Sequence, residues 1–578
     1  MTEPAIVRRS VPSCDALPAT LHPVIRRVLA ARGAVDAAAL DVSLEGLHRT
    51  DSMSGIDTAV SLLEAAVVRN ARITIVADFD ADGATSCALA IRALRAMGAG
   101  RVAYIVPNRF EYGYGLTTQI VELAAAREPD LLITVDNGIS SLEGVAAARA
   151  AGIDVLITDH HLPGDQLPDA NAIVDPNVPG DLFPSKTLAG VGVIFYVMLA
   201  LRKRLQQRDW FVAEGLTYPH LGTLLDLVAL GTVADVVPLD QNNRRLVAQG
   251  LARIRAGKSQ PGVAALLRVA GRDIPRVTST DLAFTVAPRL NAAGRLADMS
   301  LGIECLIADD KNECDRAAAE LDDLNRERRE IESEMKTKAM AIVESMPLSE
   351  GDEQRCGLCL FDEQWHQGVV GIIASRIKDR YHRPVIVFAP AGGQQLKGSG
   401  RSIHGVHLRD ALDSIAAQNP GLLSKFGGHA MAAGLTLPAG SFADFSDAFD
   451  AEIRRQVGDS GIVHEIVTDG ELRDEDFSLA LAEQLAEVAP WGQEFPEPLF
   501  DGAFVVIEKR IVGENHVRMR LQPRDGTKSV NAIAFGAADE VWVSASTAIY
   551  AAYRLSVNKY RGARSLQIVV EHARDFTD

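Results

Sequence analysis

Arg72–Gly83 reads RITIVADFDADG, a β-branched, mostly apolar run that stops at three alternating carboxylates and a glycine. Such a run has the character of a strand buried on both faces. Helical periodicity follows at once over Ala84–Met97. Working outward, Arg101–Val106 (RVAYIV), Leu131–Val135 (LLITV) and Asp154–Thr158 (DVLIT) repeat the strand pattern, with Leu142–Ala151 helical between the last two. Strand–helix alternation of this kind predicts a parallel sheet covered on both faces. Strands resume at Pro384–Phe388 (PVIVF) after a long, mainly helical stretch.

The chain has 578 residues, with 76 Asp+Glu against 59 Lys+Arg and a formal charge of −17. At about 100–200 residues per domain, several domains are expected. Apolar content of 47% and charged content of 23% exclude a disordered, collagenous or coiled-coil chain. The six cysteines form no disulfide framework. Cys356-Gly-Leu-Cys359 lies in an apolar run without the second pair a zinc site needs, and reads as a buried strand. Met1–Ser10 has no apolar signal core. Thr187–Leu201 is the most lipid-like stretch, but a span needs about 20 residues, so it reads as a buried helix. A soluble, cytoplasmic protein without membrane contact is expected.

Lys311–Glu344 lacks Gly and Pro and predicts a long connecting helix with Leu321, Leu324 and Ile331 as its apolar stripe. Beyond a Gly/Ser joint at Val457–Gly461, Phe504–Ile507, His516–Leu521, Val530–Phe535, Ala548–Val557 and Leu566–Val570 read as five short strands. Five such strands suggest a small closed barrel of the OB type. The expected fold is a multidomain α/β chain. Its segments are an N-terminal piece (1–50), a parallel-sheet domain with a helical extension (51–310), a connecting helix (311–346), a smaller α/β domain (347–457) and a C-terminal barrel (458–578).

Carboxylates fall where the strands end. Asp78, Asp80 and Asp82 follow the first strand, Asp136-Asn137-Gly138 the third, and Asp159-His160-His161 the fourth. Asp235 follows Leu227–Val233 (LVALGTV), which reads as one more strand. In an open α/β sheet the carboxyl ends of the strands line the ligand crevice, so these residues should share one pocket. Crowded carboxylates repel unless cations neutralise them. Oxygen-rich sites with one or two imidazoles suit Mg²⁺ or Mn²⁺ better than zinc. Two such ions about 3.5–4 Å apart form the arrangement used on phosphodiesters. Taken singly, D-x-D-x-D-G also suits a calcium loop and Asp-His-His a surface turn; their shared position at strand ends favours the metal site.

Asp159-His160-His161, set among VADFDADGATS, VPNRFEYGYGL, ITVDNGI, LITDHHLP and GTVADVVPL, resembles the DHH phosphoesterase superfamily. Within it the order of segments is similar to that of the single-strand-specific 5′→3′ exonucleases: DHH domain, long helix, DHHA1 domain, OB-fold. The resemblance implies Asp80, Asp82, Asp136, His160 and Asp235 as ligands of two divalent cations, Mn²⁺ or Mg²⁺, with Asp136 as the bridge. Small DHH phosphatases place a His four residues before the first of the paired Asp. That position here is Val76, so Asp78 or water would complete the first ion's shell. Asp159 and His161 would hold the ligands or touch substrate.

Pro107–Gly115 puts Arg109 and Tyr114 after the second strand, a guanidinium for phosphate and a ring for base stacking. Pro288–Arg295 (PRLNAAGR) clusters Arg289, Asn291 and Arg295; on its residues alone it reads as a helix-cap loop, while its resemblance to a motif of the same exonucleases implies that the three bind nucleic acid or a 5′-phosphate. His366–Arg409 holds seven Lys/Arg and one acid, Asp379. Within it, Lys397–Ser402 (KGSGRS) offers the parts of an anion nest. Phe426-Gly427-Gly428-His429-Ala430 resembles the G-G-H signature of DHHA1 domains. By resemblance, Ser399, Arg401 and Arg295 would hold a 5′-terminal phosphate, and His429 would reach the scissile phosphate or position the base. On the barrel, Arg518 and Arg520 alternate with Val517, Met519 and Leu521, giving one cationic strand face.

The implied activity is two-metal hydrolysis of single-stranded DNA to 5′-mononucleotides in repair and recombination. The family further implies a single-strand-binding protein and a helicase as partners, and nothing in the pattern demands more than a monomer. A phosphoesterase for short oligonucleotides, cyclic dinucleotides or bisphosphate nucleotides, and a non-catalytic scaffold, are the competing readings. The barrel and phosphate pocket argue against the first, and the complete acidic set against the second.

Overall fold

The computed structural model describes residues 4–108, 112, 115–345, 355–403, 405–428, 430–458, 462, 464–513, 515–538, 540, 542–543, 547–560 and 562–576. Arg109, Tyr114 and His429 lie outside the described residues. The chain folds as two compact units: Ile6–Asp322 with Val467–Asp578, and Met1–Ala5 with Asp323–Ile466.

The larger unit is built on a five-stranded parallel sheet, β1 (Ile73–Ala77), β2 (Val102–Ile105), β3 (Leu131–Val135), β4 (Asp154–Thr158) and β5 (Ala172–Val174), in the order β2-β1-β3-β4-β5. Every residue of β1 and β3 is buried, as continuous apolar runs require when helices cover both faces. The chain steps outward from β1 to β2, then returns past β1 to β3. That reversal opens a crevice at the carboxyl ends of β1 and β3. The three-residue β5 is too short to announce itself in the sequence.

Helices α1 (Ala81–Ala96), α2 (Thr118–Ala125) and α3 (Leu142–Ala150) connect these strands. Helix α4 (Gly190–Gln207) takes up the lipid-like stretch and is buried through Met198. Among the described residues no helix is long and apolar enough to cross a membrane. Two expectations are corrected here. The run before Asp235 is not a strand but helix α5 (Leu225–Ala234), buried from Leu225 to Val233. A helix that is apolar all round belongs in a core and shows no helical period, so it imitates a buried strand. Pro288–Arg295 is not a cap loop either; it lies inside helix α6 (Ala287–Leu296), directly after a π-helical turn at Leu282–Val286.

Helix α7 (Lys311–Ser345) is the long connecting helix. Its buried face runs Cys314, Ala318, Leu321, Asn325, Glu332, Met335 and Ala339. Leu324 and Ile331 only flank it. The stripe escaped the sequence because two of its members are polar; Glu332 is buried beside Arg328 and Arg376.

The smaller unit carries a second sheet: β6 (Leu358–Phe361), β7 (Val385–Pro390), β8 (Gln395–Arg401), β9 (Lys425–Gly428) and β10 (Ala432–Pro438), ordered β9-β10-β8-β7-β6. Only β6 and β7 run parallel. Cys359 lies in β6 and is buried, as expected. Helix α8 (Val370–Tyr381) connects β6 to β7.

Five further strands, β11 (Phe500–Val512), β12 (His516–Pro523), β13 (Val530–Ala534), β14 (Ala548–Tyr560) and β15 (Ala563–Asp575), close a barrel in the order β11-β12-β13-β15-β14. This is the OB-type barrel that the strand count suggests. β11 outruns its sequence signal at both ends. A bulge between Val506 and Glu508 shifts the register, breaking the alternation the eye follows.

Candidate metal centre and nucleic-acid faces

β1 delivers the chain to Asp78, and Asp80 then caps α1: its Oδ1 accepts the N–H groups of Asp82 and Gly83, both at 3.0 Å. Asp82, in the first turn of α1, is buried. Its two oxygens accept the N–H groups of Gly190 (2.6 Å) and Val191 (3.0 Å) at the start of α4. Gly190 is required there, because a Cβ would lie 2.7 Å from both Cβ and Oδ1 of Asp136. Asp136 follows β3 with φ of +62°, a left-handed conformation that Asp tolerates better than most residues. His160 follows β4, its Nε2 3.1 Å from Asp136 Oδ1 and 3.4 Å from Asp235 Oδ2.

Three overlapping groups bring ligand atoms within 4.8 Å of one another: Asp78, Asp80 and Asp136; Asp82, His160 and Asp235; and Asp136, His160 and His161. All six expected ligands are therefore together, and Asp136 is shared between groups. Val76 is a core residue of β1 whose carbonyl accepts the Asn137 amide at 3.2 Å, while Asp78 stands in the first group.

Burial, then repulsion from Asp235 and Asp80, raises the pKa of Asp82. Burial, then Asp82 and its acidic neighbours, raises that of Asp136, and burial raises that of Asp235. Burial lowers that of His160. Carboxylates this crowded are stable as anions only beside cations. A mostly oxygen donor set with imidazole at one side fits hard divalent ions. His161 behaves differently. Burial opposes its charge, but Asp159 at 2.7 Å from Nδ1 outweighs it and lifts the pKa to about 9. Asp159 also accepts the Ile139 and His160 N–H groups at 2.9 and 2.8 Å, so it holds the loop as well as the ring.

The α6 cluster braces this centre. Asn291 Oδ1 accepts the Ala81 N–H at 2.8 Å, and a Cβ on Gly294 would strike the Phe79 carbonyl at 1.9 Å. Arg289 is engaged with Asp322 (Nη2–Oδ1 2.7 Å) and with the Thr285 carbonyl, and is buried. Arg295 is half-buried at the end of α6. Gly190 went unnoticed in the sequence, since a glycine in contact with a distant segment leaves no local signal.

Ser399 and Arg401 belong to the smaller unit. On β8, Lys397, Ser399 and Arg401 share one face while Leu396, Gly398 and Gly400 turn inward. Arg401 Nη1 donates to Ser399 Oγ at 3.2 Å and to the Gly400 carbonyl at 2.8 Å. The first turn of α8 abuts both: a Cβ on Gly371 would lie 2.9 Å from Ser399 Oγ and 3.0 Å from Arg401 Nη2. A hydroxyl, a guanidinium and a helix N-terminus together make an anion-binding combination. Gly427 and Gly428 lie on β9, with Gly427 paired to Gly434 and Gly434 to Ser399, a row of sheet almost bare of side chains.

On the barrel, Arg518 and Arg520 are exposed and alternate with buried Val517, Met519 and Leu521. Arg518 stands opposite Arg510, and Arg520 opposite Glu508. Other barrel cations among the described residues already have carboxylate partners. Arg554 pairs with Glu497 (2.6 Å), Lys559 with Asp273 (2.5 Å), and Arg564 with Glu483.

Residues 72–232 match the DHH family, N-terminal domain, residues 354–455 the DHHA1 domain, and residues 468–572 the RecJ OB domain. The chain is 51% identical to the single-stranded-DNA-specific exonuclease RecJ of Dickeya dadantii, and 50% identical to that of Escherichia coli K12, over 98% of both chains in each case. The crystal structure of RecJ from Thermus thermophilus in complex with Mn²⁺ superposes with a TM-score of 0.81 at 30% identity, covering 99% of this chain and 80% of that one.

Proposed function

The chain belongs to the RecJ family of single-stranded-DNA-specific exonucleases, and from that membership we propose that it hydrolyses single-stranded DNA from the 5′ end to 5′-mononucleotides, with Mn²⁺ or Mg²⁺ as cofactor. The observation that carries this reading is the convergence of Asp78, Asp80, Asp82, Asp136, His160 and Asp235 on overlapping ligand groups. Asp78, Asp80 and Asp136 would hold one ion; Asp82, Asp136, His160 and Asp235 the other. Divalent ions held by these residues would supply Lewis-acid stabilisation to a phosphoryl group and lower the pKa of water toward neutrality.

The protein's own groups do the rest. Asp159, 2.7 Å from Nδ1 of His161, would orient that ring beside the ligand set, where it could hold a ligand in place or touch substrate. Ser399, Arg401 and the first turn of α8 would take a 5′-terminal phosphate, and a pocket for that terminus would give polarity; on α6, Arg295 would offer the strand a further cation. The bare Gly427–Gly428 strand lets a nucleotide approach the backbone, and Arg518 and Arg520 would track the trailing strand as OB-type surfaces do. Arg289, engaged with Asp322, would support α6 and not grip phosphate. A role in DNA repair and recombination, cytoplasmic location, a monomeric state and partnership with a single-strand-binding protein and a helicase complete the proposal.

The test uses single strands labelled at either end, incubated with the protein and Mn²⁺ or Mg²⁺. Mononucleotides should appear from the 5′ label while the 3′ label marks a shortening ladder. Equal degradation of blunt duplex, or release from the 3′ end first, would refute it.

A further inference from the structure

Residues 175–191 run from the end of β5 to the start of α4 with no strand or helix of their own before Gly190. A segment without a backbone ladder takes its shape from side-chain bonds, and here those bonds lead to the ligand-bearing loops. At one end Asp175 Oδ1 accepts the Asn177 N–H at 2.8 Å, and Asn177 Nδ2 donates to the His160 carbonyl at 2.6 Å. At the other end Gly190 and Val191 donate to Asp82, and Gly190 packs against Asp136. Between them, Asn243 Nδ2 donates both to the Thr187 carbonyl (2.7 Å) and to the Pro238 carbonyl (2.9 Å), three residues beyond Asp235. Ser185 Oγ reaches Asp240 at 2.6 Å.

One side chain closes this segment on itself. Lys186 Nζ donates to the Pro176 carbonyl at 2.6 Å, the Asp181 carbonyl at 2.7 Å and Asp181 Oδ1 at 2.9 Å, which uses all three ammonium protons. Asp181 is anchored in turn by the N–H groups of Ser54 (2.6 Å) and Phe183 (2.8 Å).

We infer that residues 175–191 are a strap that sets the spacing of His160, Asp82, Asp136 and Asp235, and that Asn177 and Lys186 are positioning residues acting through it on affinity for the divalent ion. The inference rests on the metal centre proposed above. Groups that orient ligands without touching the ion change metal affinity about 10–100-fold when removed. Asn177→Ala removes the bond to the His160 carbonyl, and Lys186→Met keeps the methylene stem while removing the clamp.

Mn²⁺ binding to the full-length chain, measured by titration calorimetry, should weaken by about 10–100-fold in both variants. Excess Mn²⁺ should restore cleavage with the KM for single-stranded DNA unchanged. The metal-free melting temperature should move by only a few degrees, whereas a purely structural role would move melting and leave Mn²⁺ affinity alone. If Lys186→Met fails to fold, Asn177→Ala decides. Affinity within twofold of the parent for Asn177→Ala overturns the strap. Asp136→Asn separates the two claims: loss of Mn²⁺ binding there, with full binding in Asn177→Ala, sinks the strap alone. Parent-like binding by Asp136→Asn sinks the metal reading beneath it.

Discussion

Two non-glycine residues with left-handed backbones adjoin the ligand set: Asp136 itself, and Val236 immediately after Asp235, each at φ +62°. A β-branched residue held there is strained by about 1–3 kcal/mol, and such strain concentrates at functional sites. Asp226 shows a different cost. It is buried in α5, accepts the Gln260 N–H at 2.5 Å, and burial pushes its pKa from 3.8 up to about 6. The folded chain thus binds more protons than the unfolded chain between those values, and stability falls as pH rises through that window. The loss above pH 6 is on the order of 3 kcal/mol. Asp226→Asn keeps the acceptor oxygen and removes the charge, so it should raise the melting temperature at pH 7.5 and leave it nearly unchanged near pH 4. A lower melting temperature at pH 7.5 would contradict the raised pKa.

At the scale of elements, β1, β3 and β4 were legible because each is a mainly apolar run stopped by a carboxylate; β3 and β4 match their sequence bounds at both ends. Asp235 joined the right pocket from the wrong kind of element, since α5 is buried on every side and its Leu227–Val233 run shows no helical period. The partners of the ligands were illegible for another reason. Asn177 and Asn291 reach other segments, 17 and 210 residues away, while Lys186 closes an irregular loop on itself, and no local period records either kind of contact. On β12, the face carrying Arg518 and Arg520 was readable from alternation alone. The like charges of Arg518 and Arg510, directly opposed, destabilise the ladder unless an anion lies over them. Arg518→Ala with Arg520→Ala should therefore weaken single-strand binding and flatten its salt dependence by roughly 0.7 per lost phosphate contact. The rate at saturating DNA should hold. An unchanged salt slope would remove this face from the path of the strand.

Across the whole molecule, the formal charge of −17 is unevenly spent. Carboxylates are packed where cations would bind, while Lys and Arg outnumber acids in His366–Arg409. Part of the barrel's positive charge instead ties it to the body of the larger unit through Glu497, Asp273 and Glu483. A buried tie joins the N-terminal segment to the stretch that leads into the barrel. Arg32 makes a bidentate pair with Asp469 at 2.7 and 2.9 Å, both side chains 1% exposed. Asp469→Ala strands a buried guanidinium and should cost about 3–5 kcal/mol, read from the urea midpoint of the larger unit. A loss below about 1 kcal/mol would mean that water reaches Arg32 there.

The order of segments along the chain has a temporal consequence. Asp323–Ile466 interrupts the larger unit, and Val467–Asp578 completes it. During synthesis, which proceeds at about 5–20 residues per second, the interrupting unit leaves the ribosome whole while the barrel is still unmade. Arg8 waits for Asp501 and Arg32 for Asp469 through nearly all of translation. The nascent protein can thus finish its second-encoded body first, and a chain released before Asp469 lacks the barrel and both of these ion pairs.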